Sequence, residues 1–483
     1  MAGSELGDDR YHRYGQETIM SEKVVVKSKM VLFTVMIGAF MSMFDSGVVN
    51  VGLPVMASQF HVDMGSVQWV TSVYLLVMSA LLPILGTLAD NFGRRRIYNL
   101  GFFVISIFTL FCGLSTNLPM LIVMRILQAI GGAMVMSNGM AIITENFPPS
   151  ERGKNLGMVV TTIALGSIVG PPAGGVAIGL WGWRSIFYLT FVVSILGFVC
   201  SYYSIPHRKV VRSDRFRFDY LGSILLISTI VTFIYGFSNV NRLGWRNPVV
   251  YGAIAIFVLS LIAFIWYEAH HKSPVMDLTL FQNRVFSASI VAALLSFITM
   301  FSPTVLIPFY YQKVLGFSTE KSGLYMMAFP LAMAVISPFS GALSDKIGAV
   351  VLTSSGLFIN TIALILLANT SLDTPVVMIL IYLGMMGLAL GLFQSPNNSC
   401  IMGNTPKDKL GAANGITQLI KNLGMVTGIA FSVALFTAFL GNDTTHYGLR
   451  FVQSTRKVYY IAAALSFVGG LISSIRNEKQ HKE

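Results

Sequence analysis

The sequence predicts an all-α, polytopic membrane protein: two six-helix bundles with two extra helices between them. Three observations carry this. Of 483 residues, 54% are hydrophobic and only 11% charged, against about a quarter charged in ordinary soluble domains. Apolar runs near or above the ~20 residues that a helix needs to cross hydrocarbon recur along the whole chain. Two sequence markers also repeat at nearly one offset. GTLADNFG (86–93) and GALSDKIG (341–348) lie 255 residues apart, and Gly153, Gly157, Gly166 and Gly170 match Gly411, Gly415, Gly424 and Gly428 at 258.

Fourteen spans are expected, near 30–54, 66–89, 97–115, 118–144, 154–180, 185–205, 219–238, 248–268, 286–311, 323–344, 349–369, 375–396, 411–441 and 456–475. Helices are the expected form, because an open chain in lipid must satisfy every backbone N–H and C=O internally. A parallel duplication pairs spans 1–6 with 9–14. The expected layout is a disordered cytoplasmic tail over 1–29, a first bundle over 30–205, a linker with two inserted helices over 206–285, a second bundle over 286–475 and a cytoplasmic tail over 476–483. The polar start is not a cleavable signal, since the apolar run after it is too long and lacks a small-residue cleavage site. A two-half membrane protein suggests a transporter with its site near the midplane.

The net charge of +12 reads as membrane orientation, not as nucleic-acid binding. With the N-terminus inside, inner loops and tails hold 23 of the 33 Lys and Arg, outer loops hold eight, and Arg125 and Lys421 fall within spans. The bias places both termini in the cytoplasm. Cys112, Cys200 and Cys400 are far apart with no CxxC pair, and read as small apolar side chains. No Ser/His/Asp set, metal-ligand cluster or P-loop occurs. The reading is therefore neither an enzyme nor an ATP-driven pump, with no metal and no cofactor. Its partners are the lipid bilayer, protons and small-molecule substrates, and it is expected to be a monomer.

Asp45, in AFMSMFDSGVVNVGLP (39–54), is the only Asp or Glu deep in a span. An ionisable group at mid-membrane costs at least ~2.5 kcal/mol, so it usually meets a wet cavity or a partner. Asp45 reads as a proton site, or as a structural acid tied to Arg or backbone. Arg125, in MRILQAIGG, lies at nearly the same depth, within ~3 Å at ~1.5 Å per residue. If spans 1 and 4 touch, protonating Asp45 weakens its hold on Arg125. A fixed ion pair is the alternative. Gln128, one turn on, lines the same cavity or bonds across helices. Lys421 either snorkels to the inner interface or serves function. The place corresponding to Asp45 in the second half is Thr299, so the halves are expected to have specialised.

In span 5, ALGSIVGPPAGG (164–175) puts Gly166, Gly170 and Gly174 on one helix face, allowing close helix approach, while Pro171 and Pro172 favour a kink. In the inner loop GTLADNFGRRR (86–96), Gly86 allows close packing and Gly93 a turn. Asp90 is placed to pair with Arg94 or Arg95 or to cap a helix. This reads as a charge latch, or as simple positive-inside anchoring.

Together these residues resemble the major facilitator superfamily, and more closely its fourteen-span drug:proton antiporters of the EmrB/QacA type, over nearly the whole chain from residue 30. GTLADNFGRRR matches the superfamily's inner-loop signature. MRILQAIGGA resembles its span-4 pattern with Ala129 where Gly is usual, and GSIVGPPAGG, including Gly175, its span-5 antiporter motif. FDSGVVNVGLP resembles the span-1 pattern, with Gly52 replacing Ala. The resemblance implies the major facilitator fold and a bacterial inner-membrane exporter linked to antibiotic resistance. It would exchange hydrophobic or amphipathic, often cationic, drugs for protons by rocking of the two halves. Asp45 would be the proton-linked carboxylate, Arg125 its transfer partner, and Asp90 with Arg94 part of an inner gate. The second loop, GALSDKIGAV, lacks the Arg pair. Candidate cavity residues are Met41, Met43, Trp69, Tyr74, Phe297, Met300, Phe301, Tyr325, Met326 and Phe393, with Gln394, Asn397 and Asn398 as polar points. The alternatives are a dedicated exporter of one metabolite, lipid or peptide, uptake by symport, and a non-transporting sensor.

Overall fold

The computed structural model describes the backbone of residues 5–206, 219–243, 247–271, 276–406, 409–441 and 447–476. It includes all of their side chains except those of 5–27, 90, 149–150, 237–243, 342, 345 and 411. Among the described residues the regular structure is entirely helical. The first group comprises α1 (Glu5–Gln59), the short α2 (Met64–Val67), α3 (Trp69–Phe92), α4 (Arg94–Gly113), α5 (Leu118–Asn146), α6 (Pro149–Trp181) and α7 (Ser185–Ser204). Then follow α8 (Tyr220–Leu243) and α9 (Pro248–His270). The second group is α10 (Arg284–Phe309), α11 (Thr319–Met326), α12 (Ala328–Ile347), α13 (Ala349–Ala368), α14 (Val376–Gly403), α15 (Leu410–Leu440) and α16 (Tyr447–Ser474).

Local chemistry sets the helix ends. Asn117 accepts from the Met120 amide at 2.9 Å, Asn247 from Val249 at 2.9 Å and Asn283 from Val285 at 2.9 Å, each satisfying a donor the helix leaves free. Gly93 separates α3 from α4 with φ of 96°, and Gly348 separates α12 from α13 with φ of 89°. Only a residue without Cβ holds that conformation cheaply. Both turns are therefore single glycines, 255 positions apart.

The packing repeats the same way. In the first group α1 lies on α6 and α7, α5 on α3 and α4, and α4 on α7. In the second, α10 lies on α15 and α16, α14 on α12 and α13, and α13 on α16. The groups meet through α6 against α11 and α15 against α3, a pseudo-twofold exchange. Helices α8 and α9 pack on each other, and α8 lies beside the α3–α15 seam, where Trp69 and Tyr235 stand 6.2 Å apart.

Among the described residues, thirteen helices are long and apolar enough to span a membrane. The fourteenth expected span corresponds to α8, whose described apolar part, Tyr220–Gly236, is shorter. Two further departures have local causes. The expected span 323–344 breaks at Met327, because Pro330 has no N–H to offer the Met326 carbonyl. After Pro308 the chain passes into a π-helical turn over Tyr310–Val314. The segment expected as a disordered tail is helical from Glu5, in continuity with α1. Residues 16–29 contain neither Gly nor Pro to stop a helix held by the span.

Candidate functional site

Asp45 and Arg125 are brought together. Helix α1 packs on α5, and Arg125 Nη1 lies 2.7 Å from Asp45 Oδ2, with both residues at most 1% exposed. Gln128, one turn beyond Arg125, accepts from Arg125 Nη1 at 2.7 Å and donates to Asp45 Oδ1 at 3.1 Å and to Thr109 Oγ1 on α4 at 2.8 Å. Arg125 Nε donates to the Val70 carbonyl on α3 at 2.9 Å, and its guanidinium stacks over Tyr74 at 4.2 Å. Four helices of the first group thus converge on one charge pair. Pairing and hydrogen bonds offset the cost of removing two charges from water. Breaking the pair by protonation leaves Arg125 with a weakened partner in a dry site. Thr109 was not singled out from the sequence; its signal is a hydroxyl within the apolar run IFTLF.

The corresponding place in the second group is neutral. Thr299 accepts from Asn360 Nδ2 at 3.1 Å, and Asn360 also reaches Ser466 Oγ at 3.0 Å. Among the described residues, the side chains hydrogen-bonded in this cluster are all uncharged.

A cavity of about 660 Å³ lies between the two groups. It is lined by Met43, Ser46, Gly47 and Asn50 of α1, by α6 from Val160 to Pro171, and by Phe297, Met300, Phe301 and Thr304 of α10. Met326, Phe329 and Met333, Gln394 and Asn398 of α14, and Lys421 of α15 also line it, with further residues of α12 and α14. Of the expected cavity residues, Phe297, Met300, Phe301, Gln394 and Asn398 are in place, as are Met43 and Met326.

Seven others are elsewhere. Met41 is buried in a separate core with Tyr98 and Phe102. Trp69 faces α8, Tyr74 lies under Arg125, and Gln128 belongs to the ion-pair network. Tyr325 packs on Tyr311 and Phe317, and Phe393 fills the contact with Gly356. Asn397 accepts from the buried Arg476 at 2.7 Å. A polar or aromatic residue in a span has several faces to choose from, and its helix's rotation decides which.

The motif on α6 forms two close seams. A Cβ on Gly166 would lie 2.4 Å from the Phe40 carbonyl, and one on Gly174 would lie 2.8 Å from Val48 Cα, both on α1. Gly170 stands against Phe44 and Gly47. Gly175 instead faces the second group, where a Cβ would lie 2.4 Å from the Thr319 carbonyl. A Cβ on Gly323 would lie 2.2 Å from that of Pro171. Near this end Gln312 Nε2 donates to the Val51 carbonyl at 2.9 Å, and Lys313 Nζ donates to Ser58 Oγ. The two groups are therefore closed on each other at the end away from Arg94–Arg96, and the cavity extends from the middle toward the basic-loop end.

At the basic-loop end, Arg94 pairs with Glu145 at 3.0 Å, and Arg95 donates to the Tyr202 carbonyl at 2.8 Å. Gly86 packs near Ser137, and Gly93 makes the turn. The Asp90 side chain lies outside the described residues. In the second group Lys409 pairs with Asp277 at 2.8 Å. Burial alone pushes the Asp277 carboxyl up, but hydrogen bonds from Lys409 and Thr279 outweigh it and hold the group below its ordinary value.

Two pseudo-symmetric helical groups enclosing a central cavity, closed at one end, define a membrane transporter. The Major Facilitator Superfamily model matches residues 35–429, and the chain belongs to that family. Among its relatives, the riboflavin transporter RibZ of Clostridioides difficile (strain 630) is 31% identical over 458 residues, covering 94% of this chain and 98% of that relative. The multidrug resistance protein Stp of Mycobacterium tuberculosis (strain CDC 1551 / Oshkosh) is 28% identical over 405 residues, covering 84% and 75%. The crystal structure of the peptide transporter POT in complex with sulfate superposes with a TM-score of 0.70 at 16% identity, covering 92% of this chain and 93% of that one. That likeness concerns the fold.

Proposed function

We propose that this transporter is a proton-coupled exporter of amphipathic small molecules, of the fourteen-span drug:proton antiporter type. The observation that carries the reading is the buried Asp45–Arg125–Gln128 network. It sits on α1, the helix that also presents Ser46, Gly47 and Asn50 to the cavity. The relative named for multidrug resistance, Stp, and the GSIVGPPAGG motif support export.

In this reading the basic-loop end is cytoplasmic, as the Lys and Arg bias favours. Substrate enters the cavity from that side while the outer end is shut. Opening of the outer end then releases substrate and exposes Asp45. Protonation of Asp45 weakens its hold on Arg125 and loosens α1 from α5; loss of that proton to the cytoplasmic side re-forms the pair and the state described here. Coupling is a differential stability of two arrangements, biased by one proton.

A second reading is dedicated export of a single metabolite; its narrow specificity, though not its direction, draws support from RibZ, a protein named for riboflavin transport that this chain matches over nearly its full length. Purified protein in liposomes separates the readings. A pH gradient of the correct sign is expected to drive uptake of an amphipathic dye into inside-acidic vesicles, and Asp45→Asn is expected to abolish the gradient dependence. Equal gradient-driven transport by both proteins would overturn the assignment of Asp45. Transport of one compound from a broad panel would favour the dedicated exporter.

A further inference from the structure

The cavity contains a charge that the proton-coupling network does not use. Lys421 lies eleven residues into α15, roughly 17 Å from its start at ~1.5 Å per residue. Its side chain is half-buried and lines the cavity, with Nζ 5.7 Å from the centre of the Phe297 ring. Among the described residues no carboxylate forms an ion pair with it; the ion pairs are Arg94–Glu145, Arg125–Asp45, His271–Asp219 and Lys409–Asp277.

Among the lining residues Lys421 is the single charged one, and the rest of the polar lining is amide or hydroxyl. Asp45, the nearest acid along α1, is spent on Arg125 and turned away from the cavity. A cationic guest therefore meets one positive charge and no negative one. An anionic guest meets an ammonium in a low-dielectric enclosure, where attraction is stronger than in water. Aromatic and methionine side chains are present to cover an apolar body.

We propose that Lys421 is the charge-recognition residue of this cavity and that the preferred substrates are amphipathic organic anions. A carboxylate or sulfonate would sit against Nζ, and a ring system across Phe297, Met300 and Phe301. This rests on the exporter reading for its physiological meaning, but it is a statement about binding and is tested without transport. It replaces the expectation of cationic drugs.

Fluorescein and rhodamine 123 share a xanthene frame and differ in charge. Equilibrium binding of each to purified protein in phosphatidylcholine nanodiscs is the test. Fluorescein is expected to bind about tenfold more tightly, the scale of one charge-assisted contact. Lys421→Gln is expected to remove that preference, Lys421→Glu to reverse it, and Lys421→Arg to keep it, which separates recognition from misfolding. Equal or better binding of rhodamine 123 by the wild type overturns the proposal, as does an unchanged preference in Lys421→Gln. The preference without gradient-driven export would retain this site and sink the exporter reading. Gradient-driven export favouring rhodamine 123 would do the opposite.

Discussion

Gln312 donates a 2.9 Å hydrogen bond to the Val51 carbonyl across the seam between the two groups. Val51 is six residues along α1 from Asp45, about 9 Å at ~1.5 Å per residue. One helix therefore carries both the closed end and the buried charge pair, and a shift of α1 at either place is felt at the other.

That relationship predicts a reversible lock. Cysteines replacing Ser58 and Lys313, whose side chains touch at the closed end, are expected to be joined by a short reducible bifunctional thiol reagent that spans the lysine's reach, and to stop transport. Reductant should restore it. Undiminished transport by a fully cross-linked sample would mean that this end does not open.

The charge pair predicts non-additive stability. Arg125→Leu alone leaves Asp45 buried without its partner and is expected to cost about 3–5 kcal/mol, the range for breaking a buried pair. Adding Asp45→Asn removes the stranded charge and is expected to recover part of that loss. Thermal melting in detergent measures both; simple addition of the two single effects would argue against a coupled pair.

The glycines of α6 separate by neighbour. Gly166→Ala places a Cβ against the Phe40 backbone and is expected to destabilise by about 1–3 kcal/mol. Gly157→Ala meets nothing within 4 Å and is expected to be neutral or to gain up to about 1 kcal/mol through helix propensity. Equal melting temperatures for the two variants would count against the tight α1–α6 seam.

The Asp277–Lys409 pair predicts a pH window. The Asp277 carboxyl is held below its ordinary value in the folded state, so it contributes stability above the unfolded value, about pH 4. That contribution is lost as pH falls through the lowered folded value. Asp277→Asn is therefore expected to melt earlier than the wild type at pH 7, with the difference shrinking as the pH falls below about 4 and on through the lowered folded value. A constant difference across that range would exclude an ionic contribution.

Much of this was legible in the sequence because membrane physics leaves few options. A 20-residue apolar run in lipid becomes a helix, and a lone acid among such runs requires a partner. Equal depth along two spans pointed Asp45 to Arg125, and spacing by four put Gly166, Gly170 and Gly174 on one face. The 255-residue repeat appears in three dimensions as the matching turns at Gly93 and Gly348. Tertiary structure decided what depends on helix rotation and neighbour choice. It turned Tyr74 and Gln128 onto the ion pair, took Asn397 into the contact with Arg476, and set Lys421 in the cavity while sealing Asp45 away from it. Depth along a helix is read from residue number, but the face a side chain presents is fixed only when the surrounding helices pack.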